Sequence, residues 1–293
     1  MRCDLHVHSI ASGMCDTPIL SRICRESYNQ PAEVYTRLKQ RDMSIVTLTD
    51  HDSIDAGEAL RKHPDFYLSE EATVKVPSGT EMHLGVYGIT ERDHIEIQRR
   101  RKDFISLMMY LTEKKLFFSV NHVFSSLTGR RLEEDFCWFA SYVPAFESRN
   151  GQMWRRANES AARLASRLGK IAIGGSDSHT IAGVGRTYTE VPEARTADEF
   201  FAGLRAGQGQ VHGAHGSYAK LTADVLCIVW SLWMEKPWTL ALMPLSLLVP
   251  AFTAGHWVNE IRFCRKWSNS LERGEKHQRM FWDMDSSFEA NWG

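Results

Sequence analysis

His6 and His8 stand two residues apart in Asp4-Leu5-His6-Val7-His8, near the start of the chain. In an extended strand, residues i and i+2 project to the same face. The two imidazoles then point together, with Leu5 and Val7 turned the other way. Neutral histidine is a common ligand of zinc-like ions, so the pair predicts part of a metal site. Further polar clusters close short apolar runs downstream. Asp50-His51-Asp52 follows Ser44–Thr49, and Asn121-His122 follows Leu116–Val120. Ser148-Arg149-Asn150 follows Tyr142–Glu147, and Gly174-Gly175-Ser176-Asp177-Ser178-His179 follows Ile171–Ile173. An aspartate can cap a turn, and a histidine can satisfy backbone groups in a core. A series of them at the same ends of successive strands points instead to one shared site.

The elements that must position these residues are read from periodicity. Cys3–His8, Phe66–Val74 and His83–Gly88 read as further strands. Pro31–Arg41 reads as a helix with Val34 and Leu38 on one face, and proline suits its first turn. Asp93–Lys115 reads as one long charged helix with a stripe of Phe104, Leu107, Met108 and Leu111. Gln152–Leu168 reads as a helix stopped by Gly169. Alternating strands and helices predict a parallel α/β architecture. In a barrel of that kind, active sites are built at the C-terminal ends of the strands. That gives His51, His122, Asp177 and His179 a physical reason to converge.

Composition bounds the function. The chain has 293 residues, 43% hydrophobic and 24% charged, which suits a folded protein. A net charge of −1 supplies no basic field for nucleic acid. The six cysteines are scattered without a CxxC pair, which suits reduced thiols and a cytoplasmic setting. The chain opens on the strand-like motif with no signal-peptide pattern, which points the same way.

Taken together and in order, the motifs resemble the PHP (polymerase and histidinol phosphatase) family of metal-dependent phosphoesterases. They are DLHVHS at Asp4–Ser9, LTDHDS at Leu48–Ser53, EAT at Glu71 with His83 downstream, NH at Asn121-His122, and GGSDSH at Gly174–His179. The resemblance spans about residues 1 to 210. It implies a distorted seven-stranded (β/α) barrel with a di- or trinuclear metal centre. On that pattern His6, His8 and Asp177 bind one metal. Glu71 bridges it to a second, completed by His83 and His122. His51 and His179 belong to a third. Glu70 and Glu81 compete with Glu71, which is preferred because Ala72-Thr73 follows it.

The chain departs from the pattern once. Family members commonly place an Asp or His shortly after the HxH serine to serve the third metal. Here the stretch reads Ile10-Ala11-Ser12-Gly13-Met14-Cys15-Asp16, leaving Asp16 as the candidate and Cys15 as a weaker one. The cofactors implied are two or three divalent transition-metal ions, Zn, Mn or Fe, because imidazole–carboxylate shells suit these better than Mg or Ca. Two ions about 3.5–4 Å apart hold a hydroxide and clamp phosphate oxygens. The implied activity is hydrolysis of a phosphomonoester or phosphodiester in a small phosphorylated substrate. Asp52 and His179 are candidates for proton transfer, and Arg149 and Arg186 for fixed cations that meet phosphate. Asp50 is expected to orient His51 or a strand-end backbone group. The alternatives are a nuclease acting on nucleic-acid ends and a catalytically inactive metal-binding scaffold at a membrane.

Beyond a domain of residues 1–216, the remaining 217–293 read as a hydrophobic helical appendage and tail. Asp224 is the only charge between Leu221 and Met234. Trp238–Trp257 is 20 residues without charge, edged by tryptophan and followed by Arg262, Arg265 and Lys266. Length, aromatic edges and basic flank fit a membrane-spanning or membrane-dipping segment within 221–257. Two apolar helices packed on the barrel, or across a dimer interface, would read the same way.

Overall fold

The computed structural model describes residues 1–15 and 20–274. Asp16 lies outside them, as does most of the expected tail.

The chain opens with β1 (Arg2–Cys3), much shorter than the strand expected to run to His8. After α1 (Pro31–Gln40), which buries Val34 and Leu38, comes β2 (Val46–Leu48), buried throughout. The short α2 (Gly57–Leu60) leads to β3 (Phe66–Lys75) and β4 (Glu81–Tyr87). Next come α3 (Glu91–Arg100) and α4 (Phe104–Glu113), where one long helix was expected. The break has a local cause. The Asp103 side chain accepts from Ser106 N and caps a new helix, a bond that competes with helix continuation.

The chain continues through β5 (Phe117–Val120), α5 (Glu133–Tyr142), β6 (Ala145–Asn150), α6 (Arg155–Arg167) and β7 (Ile171–Gly175). Then follow β8 (Thr187–Glu190), α7 (Ala197–Arg205), β9 (Gln210–Gly213) and α8 (Tyr218–Glu235). A 3-10 run (Pro237–Leu248) joins α8 to α9 (Val249–Gly274).

Strands β2 to β7 form one curled six-stranded sheet in sequence order, and β1, β8 and β9 form a second, three-stranded one. The fold is mixed α/β, not wholly parallel as expected. β3, β4 and β5 pair antiparallel, while β2/β3, β5/β6 and β6/β7 are parallel. The reason is connection length. Only Val76-Pro77-Ser78-Gly79-Thr80 separates β3 from β4, far too few residues for a crossover helix.

Where a seventh strand was expected, the Asp4–Ser9 segment bridges the two ends of the six-stranded sheet with a few bonds. Thr49 N donates to Val7 O on one side. On the other, Asp177 N donates to His6 O and His8 N to Ser178 O. Leu5 and Val7 are buried in separate apolar clusters, the first with Phe117 and Phe200, the second with Leu38 and Val46. Burying each is worth about 2 kcal/mol, which pins the segment so that His6 and His8 must face the other way.

Gly175 makes this possible, since a Cβ there would stand 2.3 Å from His6 Cβ and 2.4 Å from His6 N. Both neighbours are backbone-fixed, so the overpacking has nowhere to relax. Gly175→Ala is expected to cost about 1–3 kcal/mol and to lower bound metal, read by denaturant midpoint and elemental analysis. A variant as stable and as metal-loaded as the parent would contradict the close approach.

All six cysteines fall among the described residues and none forms a disulfide. Pro237–Leu271 is one helical stretch long and apolar enough to cross a membrane, with only 17% of its most apolar window buried.

Candidate metal centre

Glu71 is the hub. Its residue position on β3 turns it inward, while Glu70, one residue earlier, turns outward to accept from His94 Nδ1 and Gln98 Nε2 on α3. Glu81 is exposed. Five imidazoles surround the Glu71 carboxylate. Oε2 faces His6 Nε2 at 3.1 Å, His51 Nδ1 at 3.3 Å and His8 Nε2 at 3.4 Å. Oε1 faces His122 Nε2 at 3.1 Å and His83 Nδ1 at 3.5 Å. Asn121 Nδ2 donates to Oε1 at 2.9 Å and fixes the carboxylate's plane.

Asp177 stands opposite, with Oδ1 at 3.3 Å from His8 Nε2 and 3.5 Å from His6 Nε2. Four overlapping groups could each hold an ion: His6/His8/Asp177, His6/Glu71/His122, His51/Glu71/His83 and His8/His51/His179.

The hydrogen-bond network sets the tautomers. Ser12 Oγ donates to Asp50 Oδ1, so it must accept from His8 Nδ1–H at 2.9 Å. His8 Nε2 is thereby left with a lone pair. His6 Nδ1 donates to Glu147 Oε1 at 2.8 Å, which leaves Nε2 as the atom that faces Glu71 and Asp177. His179 Nδ1 donates to Asp177 O at 3.1 Å, freeing its Nε2 as well. Such partners orient a metal-binding imidazole and raise its basicity. Asp50 thus orients His8 through Ser12, and also accepts from Ser9 N and Oγ. It was expected to serve His51 or a backbone group.

The donor set fits a divalent transition metal. His8 Nε2, His83 Nδ1 and His179 Nε2 are buried and lack any hydrogen-bond partner, an arrangement that costs free energy unless something else binds them. Three residues at strand ends also hold left-handed backbone: Asp52 (φ 51°), His122 (φ 29°) and Asp177 (φ 49°). For residues other than glycine this conformation stores strain, and such strain gathers at functional sites.

The electrostatics follow from burial among opposed charges. Burial would raise Glu71, but His6, His83 and His51 outweigh it and hold the carboxyl well below its usual range. Asp177 is likewise held low by His6 and His8 against burial. Burial opposes the charged form of His6, yet Glu71, Asp177 and Glu147 raise it well above the ordinary value. His51, also against burial, is pushed up to about 10 by Glu71 and Glu26. Burial and the nearby His179 push His8 down to about 3.

In the metal-free protein His51 therefore holds its extra proton at neutral pH and the carboxylates favour one on His6, so an incoming cation competes with protons. Metal loading at pH 7 is expected to release protons and to strengthen as pH rises. Calorimetric titration in buffers of different ionisation enthalpy reads the proton count. A heat independent of buffer would contradict this.

Two carboxylates escaped the motif reading. Glu147 on β6 accepts from His6 through Oε1, and from His122 N and Asn150 Nδ2 through Oε2, each at 2.9 Å. The available signal was a lone acid closing the apolar run that ends at Ala145-Phe146, at the same strand end as the other site residues. Glu26 is the second. Its Oε1 stands 3.3 Å from both His51 Nε2 and His179 Nε2. Burial works against its ionised form, but the neighbouring His179 and His51 imidazoles prevail and lower its pKa. Glu26 thus stands between His51 and His179, the pair that the resemblance assigns to a third metal, while Asp16, the sequence candidate there, lies outside the described residues.

The other expected residues sit elsewhere. Asp52 was a candidate for proton transfer, but its Oδ1 accepts from Thr73 N and its Oδ2 pairs with Arg101 at 2.8 Å. These bonds give it a structural task at the β3 edge. Arg149 donates to Gly213 O, and Arg186 is exposed beside Arg41. Neither forms a hydrogen bond or ion pair with the histidine cluster, and their role as fixed cations for phosphate stays an expectation. A register irregularity between Glu147 and Arg149 breaks the alternation that would have set both side chains on one face.

A family model described as PHP-associated matches residues 155–208, from the start of α6 past α7. The chain is also similar in fold to a two-domain protein containing a predicted PHP-like metal-dependent phosphoesterase from Bacteroides vulgatus ATCC 8482. The TM-score is 0.56 at 15% identity, over 75% of this chain and 68% of that one. PsfC from Pseudomonas syringae PB-5123 is similar with a TM-score of 0.54 at 17% identity, over 80% of this chain and 98% of that one. No curated protein matches this chain.

Proposed function

We propose that this protein is a PHP-type metal-dependent hydrolase that cleaves a phosphomonoester or phosphodiester of a small substrate. One observation carries the reading: a buried carboxylate, Glu71, ringed by five imidazoles with partnerless nitrogens beside it. His6, His8 and Asp177 would hold one ion, Glu71 would bridge, His83 and His122 would complete a second position, and His51, His179 and Glu26 a third. Divalent ions bound there supply Lewis acidity toward phosphate oxygens and a water of lowered pKa.

The chain's own residues do the rest. Ser12 and Asp50 fix His8, Glu147 fixes His6, and Asn121 fixes Glu71, so the ligand atoms need little reorganisation on loading. His51, His83, His179 and Glu26 keep part of their side chains exposed, whereas His6, His8 and Glu71 are sealed. Substrate therefore reaches the centre from the Glu26 side. With Asp52 committed to Arg101, His179 at this open edge is the remaining candidate for passing a proton to the leaving oxygen when the third position holds no ion.

The test uses protein purified without chelator. Metal per chain is measured first, then turnover of p-nitrophenyl phosphate and bis(p-nitrophenyl) phosphate, in the parent and in Asp177→Ala. Bound transition metal, with turnover lost in the variant, supports the reading. A chain that neither carries nor takes up Zn or Mn sinks it.

A further inference from the structure

The appendage leaves a large apolar surface open, and that surface is concentrated. Nineteen large hydrophobic side chains are exposed among the described residues, and thirteen of them lie from Tyr218 to Val258. Single exposed apolar residues are ordinary, but a contiguous set marks an interaction site. On α8, Leu226, Trp230 and Met234 recur at four-residue spacing, on the face away from Asp224, which bonds Thr180 and Gln152 on the barrel. The 3-10 run packs against both α8 and α9. Within it only Thr239 and Ser246 escape full exposure, and Leu247 is 82% exposed. Phe252 and Val258 continue the surface on α9.

Charge decides what covers it. From Pro237 to Leu271 the only acidic residue is Glu260, and it is buried against Ser126. Arg262, Arg265 and Lys266 are exposed on α9, just beyond Trp257. A second copy meeting this face would bring two sets of three cations together with no acid to answer them. A leaflet containing anionic lipid answers them directly, because its negative surface potential attracts basic groups held near it. Exposed tryptophans, Trp230 and Trp238, suit the headgroup boundary, where an amphipathic ring keeps its N–H wet.

We propose that the face formed by α8, the 3-10 run and the start of α9 docks in plane on an anionic lipid bilayer. Asp224 ties α8 to the barrel through Thr180 and Gln152, and α8 packs along α9, so the docking is on one leaflet rather than across it. The docked elements also hold the loops that carry the histidine cluster. Asp224 accepts from Thr180, next to His179. Glu235 pairs with Arg25, next to Glu26. Glu260 accepts from Ser126, four residues after His122. Docking thus sets the open edge of the metal centre close to the bilayer.

The test is co-sedimentation of the full chain with vesicles of phosphatidylcholine alone, or of phosphatidylcholine with phosphatidylglycerol. The parent is expected to bind the anionic vesicles more tightly, and less so as salt rises. Leu247→Asp with Leu248→Asp should lower the bound fraction at least about tenfold. Arg262→Gln with Arg265→Gln should remove the preference for anionic vesicles. Both side chains of the leucine pair are exposed, so metal content and turnover without lipid should stay at parental values, which separates docking from folding and from the proposed hydrolase activity. Two results would overturn the proposal: no sedimentation of the parent, or a parental dimer that the leucine variant converts to monomers without any vesicle binding.

Discussion

Glu71→Gln is expected to empty the two positions that share this carboxylate and to lower turnover about a thousandfold. The side chain is fully buried and faces five imidazoles, so it belongs to two of the four candidate ligand groups and stands against histidines of the other two. Glutamine keeps the shape and can still accept from Asn121, so packing is preserved. It cannot offer two anionic oxygens to two ions. Loss of several kcal/mol of charge stabilisation at a metal site corresponds to about three powers of ten in rate.

The same change removes the main charge that raises His51 and His6. In the metal-free variant those imidazoles should lose their protons at lower pH, and proton release on loading should shrink. Elemental analysis, turnover and histidine NMR titration read the three effects. Parental metal content in Glu71→Gln would refute the bridging role.

The second large effect is expected at Glu26. Glu26→Gln should remove one ion per chain, leave the ions beside Glu71 in place, and lower turnover about 10–100-fold. The argument is geometric. Oε1 is equidistant, at 3.3 Å, from Nε2 of His51 and Nε2 of His179, and the latter has no other partner. Metal per chain, measured at saturating Zn or Mn, separates this from a purely electrostatic role. An unchanged count with reduced turnover would show that Glu26 acts on the substrate or on a proton instead.

Much of this site was legible because strand alternation is a strict rule. His6 and His8 face one way because Leu5 and Val7 are buried the other way. Alternation also separates Glu71 from Glu70, whose partners His94 and Gln98 lie on the outer helix α3. What stayed hidden obeys no local period. Glu26 follows a segment of 3-10 and irregular chain, and its distance in sequence from His51 and His179 carries no signal. Glu147 looked like one more strand residue until its partners, His6 and the His122 backbone, were in place.

The parallel reading of the sheet failed at β3–β4, although the short Val76–Thr80 link already forbade a crossover. The helix over Asp93–Lys115 failed because Asp103 was counted among the charges of a polar face, when its side chain serves as a cap. Arg149 follows a bulge, which alternation alone does not foresee.

The closure of the six-stranded sheet by its earliest residues has a consequence for biosynthesis. Asp4 accepts from Ser176 N across 172 positions, and His6 O accepts from Asp177 N beside it. Neither bond can form until the ribosome has delivered β7 and the loop after it. At about 5–20 residues per second, the first nine residues wait some ten seconds or more for their partners. Throughout that interval Leu5 lacks Ile173 and Phe200, Val7 lacks Val184, and the histidines have no carboxylate from Asp177. The metal centre is therefore a late product of folding, and a nascent chain stalled before Gly175 would carry its opening motif with nothing to close against.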